Sequence, residues 1–114
     1  ILKEIGRDKV NLIAKSVGTM IAMKVLSEIG GQVGKIILCG IPSVSEERKK
    51  LFATSLLGFP AENIICFQNT KDPLATFKEV DKFMREVNKK IKVVEKPRSD
   101  HLYPYFEDFQ KFLR

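Results

Sequence analysis

Short apolar segments alternate with amphipathic segments along this chain, and this alternation limits its possible folds more than any other feature. The apolar segments predict strands at residues 9–15, 35–39, 63–68 and 91–95, and the amphipathic ones predict helices at residues 17–29, about 44–57, 74–88 and 103–113. A strand that is continuously apolar, as residues 36–39 are, is typical of a parallel sheet covered on both faces. The sequence therefore predicts an α/β fold, with a parallel sheet of about four strands and helices on both faces.

The 114 residues suffice for one hydrophobic core, so residues 1–114 are expected to form a single α/β domain. The first six residues, ILKEIG, predict the last turns of a helix that Gly6 closes. Ser43 and Glu46 have the spacing of a capping box, which predicts the start of the second full helix. Because the chain opens without methionine, we expect it to be part of a longer protein.

Residues 10–26, VNLIAKSVGTMIAMKVL, predict a strand, an abrupt turn at Ser16 and a mostly buried helix. The turn is close to G-x-S-x-G, with Ala14 at the first glycine position and Gly18 at the second. A serine on such a turn is held over the end of a sheet, where a substrate could reach its hydroxyl. The same serine could instead cap the helix, so the turn alone does not identify a nucleophile.

Two further polar residues follow predicted strands, Asp72 in NTKDP and His101 in RSDH. Because ligands of parallel sheets bind at the carboxyl ends of the strands, Ser16, Asp72 and His101 are expected at one edge. Acyl transfer uses a hydroxyl nucleophile, a base beside it and a carboxylate that orients the base. His101 is the single histidine of the chain and hence the candidate base, with Asp72 as the carboxylate. Considered singly, Asp72 could be a turn residue and His101 an ordinary loop histidine.

The order Ser16, Asp72, His101, each after its own strand, resembles the C-terminal half of the α/β-hydrolase family. The resemblance covers nearly the whole chain. It implies that AKSVG is the nucleophile elbow, that NTKDP is the acid loop and that RSDH is the histidine loop. It also implies a Ser-His-Asp catalytic triad and an oxyanion hole to which the backbone amide of Val17 contributes.

The chain departs from the family pattern at three positions where glycine is common. These positions lie two before the nucleophile, three before the acid and three before the histidine, and they hold Ala14, Asn69 and Arg98. Alanine is small enough for the turn and asparagine tolerates a left-handed backbone, whereas the arginine has no such explanation.

The family's second oxyanion donor and the next strand of its sheet both come from upstream of residue 1. We therefore expect the strand that carries Ser16 to have an open edge. An apolar strand with an open edge tends to pair with another chain. The expected partner at this edge is the missing N-terminal half or a second copy in a homo-oligomer.

Four polar residues near these motifs are not assigned to the site. Lys15 is interpreted as a surface charge. Asp100 adjoins the candidate base in sequence, but it is a poorer orienting acid than the aspartate after the third predicted strand. Tyr103 and Tyr105 are interpreted as amphipathic residues at the edge of the core.

The composition argues against several other partners. The net charge is +6, but the basic residues are spread out and no basic patch is interleaved with aromatics, so no nucleic-acid partner is predicted. No apolar run approaches the roughly 18 residues of a membrane span. No metal-ligand spacing is present, and the glycine-rich residues 30–34 precede a strand instead of following one, so no metal or cofactor is predicted.

The two cysteines, Cys39 and Cys66, each lie in an apolar predicted strand. They are expected to be buried thiols, which predicts a reducing, cytoplasmic compartment. The alternative is a disulfide between neighbouring strands.

The sequence thus predicts a serine hydrolase, esterase-like, that acts on an ester, thioester or related acyl substrate and uses no cofactor. The alternative is a non-catalytic α/β module, or a pseudo-hydrolase fragment, that binds a partner through its open sheet edge.

Overall fold

The structure is a computed structural model, and it describes residues 2–5 by their backbone and residues 9–114 in full. Within these residues the elements are β1 (Leu2–Ile5), β2 (Lys9–Lys15), α1 (Gly18–Ile29), β3 (Val33–Cys39), α2 (Glu46–Ser55), β4 (Ile64–Asn69), α3 (Phe77–Asn88), β5 (Lys92–Lys96) and α4 (Phe106–Leu113). Single 3₁₀ turns at Gly30–Gln32 and Ala61–Asn63 lead into β3 and β4.

The described strands form one sheet in the order β1-β2-β3-β4-β5, and β2 to β5 are all parallel. Each parallel pair is joined by one helix, which is the connection that parallel neighbours require. The predicted α/β fold with a four-stranded parallel sheet is therefore confirmed.

The prediction of a helix at the start of the chain is wrong for residues 2–5. They form β1, which pairs antiparallel with β2 from Leu2↔Leu12 to Ile5↔Lys9. A single helical turn leaves most of its backbone groups without partners, whereas an edge strand bonds with its neighbour along its length. The pairing also corrects the expectation that β2 lacks a neighbour on this side. Ile1 and Gly6 lie outside the described residues.

Helices cover both faces of the sheet, as predicted. Side chains alternate across a strand, so Ile36 and Leu38 of β3 face α1, α2 and α3, whereas Ile37 and Cys39 face α4. Phe52 of α2 lies at the centre of the larger core, fully buried, and its ring meets the ring of Phe83 edge to face at 5.2 Å.

The two cysteines lie on opposite faces of the sheet. Leu38 of β3 is the residue in register with Cys66 of β4, so Cys39 is offset from Cys66 by one position. A one-residue offset reverses the face, and the two thiols belong to different cores. Both cysteines are buried and free, so the alternative of a disulfide is wrong.

The capping box is in α3 and not at Ser43. Ser45 caps α2, and its hydroxyl accepts a hydrogen bond from the Arg48 amide at 3.2 Å. In α3, Thr76 and Glu79 each accept a hydrogen bond from the other's backbone amide.

The longest described helices, α1 and α3, have 12 residues each. Among the described residues, no helix is long and apolar enough to cross a membrane.

Replacing Phe52 with alanine should lower the free energy of unfolding by about 3–5 kcal/mol, because it removes a fully buried ring and leaves a cavity. Urea denaturation followed by circular dichroism would measure the loss. Leu57→Ala is the control, since Leu57 is 85% exposed and its truncation should change stability by about 0.5 kcal/mol or less. Equal effects of the two substitutions would contradict this assignment of the core.

Candidate active site

The carboxyl ends of the four parallel strands meet at one edge of the sheet, and the candidate residues follow those ends. Ser16 comes directly after β2 and Gly40 directly after β3. Asp72 lies three residues after β4, and His101 lies five residues after β5. The predicted convergence of loops at this edge is thus present, with a glycine as a fourth member.

Asp72 and His101 form a direct hydrogen bond. The Nδ1 atom of His101 lies 2.6 Å from Oδ2 of Asp72, across 29 residues of sequence. The Asp72 side chain is completely buried, and that of His101 is 23% exposed. A buried carboxylate needs hydrogen bonds that compensate for its lost hydration, and the imidazole supplies one of them.

Two further groups hold the Asp72 carboxylate in place. The Tyr103 hydroxyl donates to Oδ2 at 2.6 Å, and the Leu74 amide donates to Oδ1 at 2.9 Å. Burial raises the pKa of Tyr103, and the contact with Asp72 acts in the same direction, so the hydroxyl stays protonated and able to donate. The interpretation of Tyr103 as a core-edge residue missed this role, because nothing in the local sequence links it to Asp72.

This arrangement determines which nitrogen of His101 is available. An ionised carboxylate only accepts hydrogen bonds, so Nδ1 is the atom that carries the proton. In the neutral imidazole, Nε2 then bears the lone pair. It is buried and is the one buried side-chain nitrogen or oxygen without a hydrogen-bond partner among the described residues. Such an atom in a native fold needs an explanation, and proton transfer is one.

Ser16 lies in a strained turn between β2 and α1. Its φ is 58°, the single positive value of a non-glycine residue in the described part of the chain. Its carbonyl accepts hydrogen bonds from both the amide and the hydroxyl of Thr19, at 3.0 and 2.7 Å. Left-handed backbone at a non-glycine residue costs about 1–3 kcal/mol and is concentrated at functional sites.

Small residues allow the strand and the helix to approach each other on either side of this turn. A Cβ atom at Gly18 would lie 4.0 Å from the Cβ atom of Ala14, which is ordinary contact. Alanine is accommodated at the first position of the G-x-S-x-G pattern, where the backbone is not left-handed. Ser16 is not the N-cap of α1, because Val17 occupies that position, and the Ser16 group that bonds the first turn is its carbonyl.

Gly40 connects the Ser16 turn to the imidazole. The Ser16 amide donates to the carbonyl of Cys39 at 2.9 Å, and the next residue, Gly40, has a φ of 61°. A Cβ atom at Gly40 would lie 2.6 Å from Cε1 of Tyr103 and 2.9 Å from Cε1 of His101. Only glycine fits this position, and its absent side chain provides the space in which the two rings pack.

The structure does not join Ser16 to His101 by a hydrogen bond. Since Nε2 of His101 has no partner among the described residues, the Ser16 hydroxyl does not bind it in this state. The predicted group of three residues is therefore present as a bonded pair, Asp72 and His101, and a serine held on the adjoining turn.

The thiol of Cys39 also lies at this edge, and its protonation excludes it as a nucleophile. Cys39 immediately precedes Gly40, and burial raises the pKa of its thiol to about 12 although the nearby Lys15 lowers it. A thiol is a nucleophile as the thiolate, so Cys39 is inert at neutral pH. Lys15 is exposed, as its interpretation as a surface charge requires.

Val17 is the first residue after the turn and is 63% exposed. The first backbone amides of a helix have no partner within that helix and carry a partial positive charge. The Val17 amide therefore lies in a region suited to an anionic oxygen, as the oxyanion prediction requires.

Two buried amide side chains at the end of β4 organise the surrounding loops. Gln68 accepts from the Ile41 amide at 3.0 Å and donates to the Ala75 carbonyl at 2.8 Å. Asn69 donates to the carbonyls of Asp100 and Leu102, both at 2.9 Å. The sequence reasoning missed both residues, although amides that end an otherwise apolar strand are a usable signal, since buried amides must be hydrogen bonded.

Two of the family departures have explanations other than the expected ones. The Asn69 backbone is not left-handed, and the residue is required for its side chain. The Arg98 guanidinium binds the Asp100 carboxylate at 3.0 and 2.6 Å, which lowers the pKa of Asp100 and raises that of Arg98. Because Asp100 is occupied by Arg98, it does not compete with Asp72 for the imidazole.

The arrangement provides a hydroxyl, an oriented imidazole and a buried carboxylate at one edge of the sheet. Within the described residues there is no group of three or more His, Cys, Asp or Glu side chains positioned to bind a metal ion. The sequence matches no protein-family model and no curated protein. The geometry of the site therefore carries the functional argument.

Replacing Gly40 with alanine should displace the His101 ring, because the new methyl group would overlap both adjoining rings. The expected result is loss of the Asp72–His101 hydrogen bond, seen as disappearance of the imidazole N–H proton resonance. The signal is unambiguous, since the chain has one histidine.

Gly58→Ala is the matched control for this change. Gly58 also has a positive φ, of 81°, but apart from its two chain neighbours no described residue has an atom within 4 Å of its Cβ position. Both substitutions incur the left-handed backbone cost of about 1–2 kcal/mol, and only Gly40→Ala adds a clash. The explanation fails if the two variants are equally stable and both retain the imidazole signal.

Tyr103→Phe should lower the free energy of unfolding by about 1–3 kcal/mol, because it removes a donor to Asp72 and leaves the buried Asn69 amide without its acceptor. The imidazole N–H resonance should also move, since His101 shares the same carboxylate oxygen. Tyr105→Phe is the control, because its hydroxyl bonds the Asn69 side chain and not Asp72. A resonance shifted by Tyr105→Phe but not by Tyr103→Phe would contradict the assignment.

Proposed function

We propose that this chain belongs to a serine hydrolase of the α/β-hydrolase type, esterase-like, acting on an ester, thioester or related acyl substrate. Ser16 is the nucleophile, His101 the general base and Asp72 the residue that orients the base. No cofactor takes part in the proposed reaction.

The observation that carries the proposal is the Asp72–His101 hydrogen bond with Nε2 left free. The carboxylate fixes Nδ1 as the protonated nitrogen, so the lone pair is on the nitrogen that must accept a proton from a serine. The same carboxylate stabilises the imidazolium that forms. The strained turn at Ser16 supports the proposal independently, because such a turn exposes a serine hydroxyl at the end of a sheet.

The proposed reaction has two stages. In the first, Ser16 Oγ attacks the acyl carbon, Nε2 takes the hydroxyl proton, and the Val17 amide donates to the developing oxyanion. The imidazolium then protonates the leaving group as its bond to the acyl carbon breaks. In the second, Nε2 takes a proton from the water molecule that attacks the acyl carbon. The imidazolium then returns this proton to Ser16 Oγ as the bond between Oγ and the acyl carbon breaks, which releases the carboxylic acid and restores Ser16 and His101.

The proposed reaction requires Ser16 and His101 to approach each other when substrate binds. Catalytic hydrogen bonds are often long or absent without substrate and form in the substrate complex. The backbone link from Ser16 to Cys39, with Gly40 packed against His101, keeps the two groups on adjoining segments.

The buried free thiols of Cys39 and Cys66 fit a proposed cytoplasmic, reducing location.

A non-catalytic α/β module that binds a partner is the second candidate. It is favoured by one observation, which is that His101 Nε2 has no partner and therefore no hydrogen bond with Ser16. Reactivity of Ser16 distinguishes the two candidates, since a module has no need of an activated serine.

Ser16→Ala should abolish labelling by a fluorophosphonate probe and lower ester hydrolysis by about 10⁶-fold, because the nucleophile is removed.

Asp72→Asn should retain the fold and lower kcat by about 10⁴-fold, because the imidazole is then held in the wrong tautomer. Probe labelling followed by mass spectrometry, together with p-nitrophenyl acetate kinetics, measures both effects.

Ser27→Ala is the control for the probe, since Ser27 lies near the opposite end of α1 and bonds the Met23 carbonyl. It should label as the native chain does. Labelling of the native chain that persists in Ser16→Ala would overturn the nucleophile assignment, and a native chain that neither labels nor hydrolyses would favour the module.

A further inference from the structure

An apolar cavity of about 690 Å³ lies beside the Ser16 turn. Most of its wall comes from residues 12–15 of β2, the first two turns of α1, and residues 102–109 between β5 and α4 and in α4 itself. Its volume falls within the range of about 300–1,000 Å³ that is typical of small-molecule sites.

The cavity adjoins the candidate active site on two sides. Lys15 and Gly18 belong to its wall and flank Ser16 in the chain. Cys39, whose carbonyl accepts from the Ser16 amide, and Tyr103, whose hydroxyl donates to Asp72, also line it. A ligand in the cavity would therefore lie beside the Ser16 turn and against Tyr103, which holds the Asp72 carboxylate.

The wall selects for an apolar ligand. Lys15 is the one charged residue among the described residues that line the cavity, and the Tyr103 hydroxyl already has two partners. Ile21, Leu102 and Phe106 line the cavity while 59%, 55% and 68% exposed. Such a wall offers little hydrogen bonding to a sugar or a nucleobase, whereas an alkyl chain would remove its apolar surface from water.

We propose that this cavity binds the aliphatic chain of the acyl group, so that the preferred substrates are esters or thioesters of fatty acids. This inference rests on the serine hydrolase function proposed above, which places the acyl carbon at Ser16. The alkyl chain then extends from the Ser16 turn along α1 and residues 102–106. Lys15, at the same end of the cavity as Ser16, lies near the carboxylate of the released acid.

The rate of ester hydrolysis should depend on chain length. For p-nitrophenyl esters from acetyl to octanoyl, kcat/KM should rise about fourfold for each added methylene group, the factor expected for burying one methylene. Ile21→Asp places a carboxylate in the wall and should flatten this series. Leu57→Asp, which also replaces an exposed aliphatic residue but lies outside the wall, should retain it.

Binding to an inactive variant tests the cavity without the reaction. Ser16→Ala should bind decanoate, measured by calorimetry below the micelle concentration. Adding Ile21→Asp should weaken that binding at least tenfold, whereas adding Leu57→Asp should leave it unchanged. Sedimentation of the same variants at several concentrations would detect self-association.

The outcomes separate the two proposals. If Ser16 is labelled and acetyl and octanoyl esters react equally, the hydrolase stands and the acyl-chain inference is overturned. If Ser16 is not labelled but decanoate binds in an Ile21-dependent way, the hydrolase fails and the cavity is supported as an alkyl-chain site. If decanoate does not bind and the chain forms dimers that Ile21→Asp disrupts, a second copy occupies the groove and the inference is overturned.

Discussion

The candidate site depends on the hydrogen bonds of two buried amides at the end of β4. Backbone groups of loops that are withdrawn from water need partners, and Gln68 and Asn69 provide them on opposite faces of the sheet. Gln68 fixes the loops that follow β3 and β4, and Asn69 fixes the loop that carries His101. The 2.6 Å contact between Asp72 and His101 follows from this double anchoring, because two loops 29 residues apart are held against the same strand end.

Left-handed backbone occurs at the carboxyl ends of two adjacent strands, β2 and β3. Ser16 at the end of β2 and Gly40 at the end of β3 both have a φ near 60°. The first turns a serine out of the sheet, and the second leaves room for the rings of His101 and Tyr103. The proposed hydrolase uses both features, and the cavity of the further proposal has wall residues on both sides of the serine.

The sequence predictions that were wrong concern features that contacts beyond the local sequence decide. Ser43 with Glu46 satisfies the capping-box spacing, but α2 begins at Glu46 with Ser45 as its N-cap, and the box forms at Thr76 and Glu79 of α3. Residues 2–5 have the pattern of a helix end, but they pair with β2. An unpaired strand edge offers backbone hydrogen bonds along its whole length, whereas a single helical turn satisfies few of its own. From the sequence, Tyr103 is interpreted only as a residue at the edge of the core. Its hydrogen bond to Asp72 joins residues 31 positions apart, so the local sequence does not reveal it.

The sequence by itself determined the α/β class, the four parallel strands and the position of Ser16, Asp72 and His101 after strand ends, because apolar periodicity and turn residues act over a few positions. Only the tertiary structure decided that Asp72 and His101 are bonded and that Arg98 occupies Asp100. It also decided that Gly40 must be glycine and that Cys39 and Cys66 lie on opposite faces. These features depend on strand register and on buried hydrogen bonds between distant loops, which no local pattern encodes.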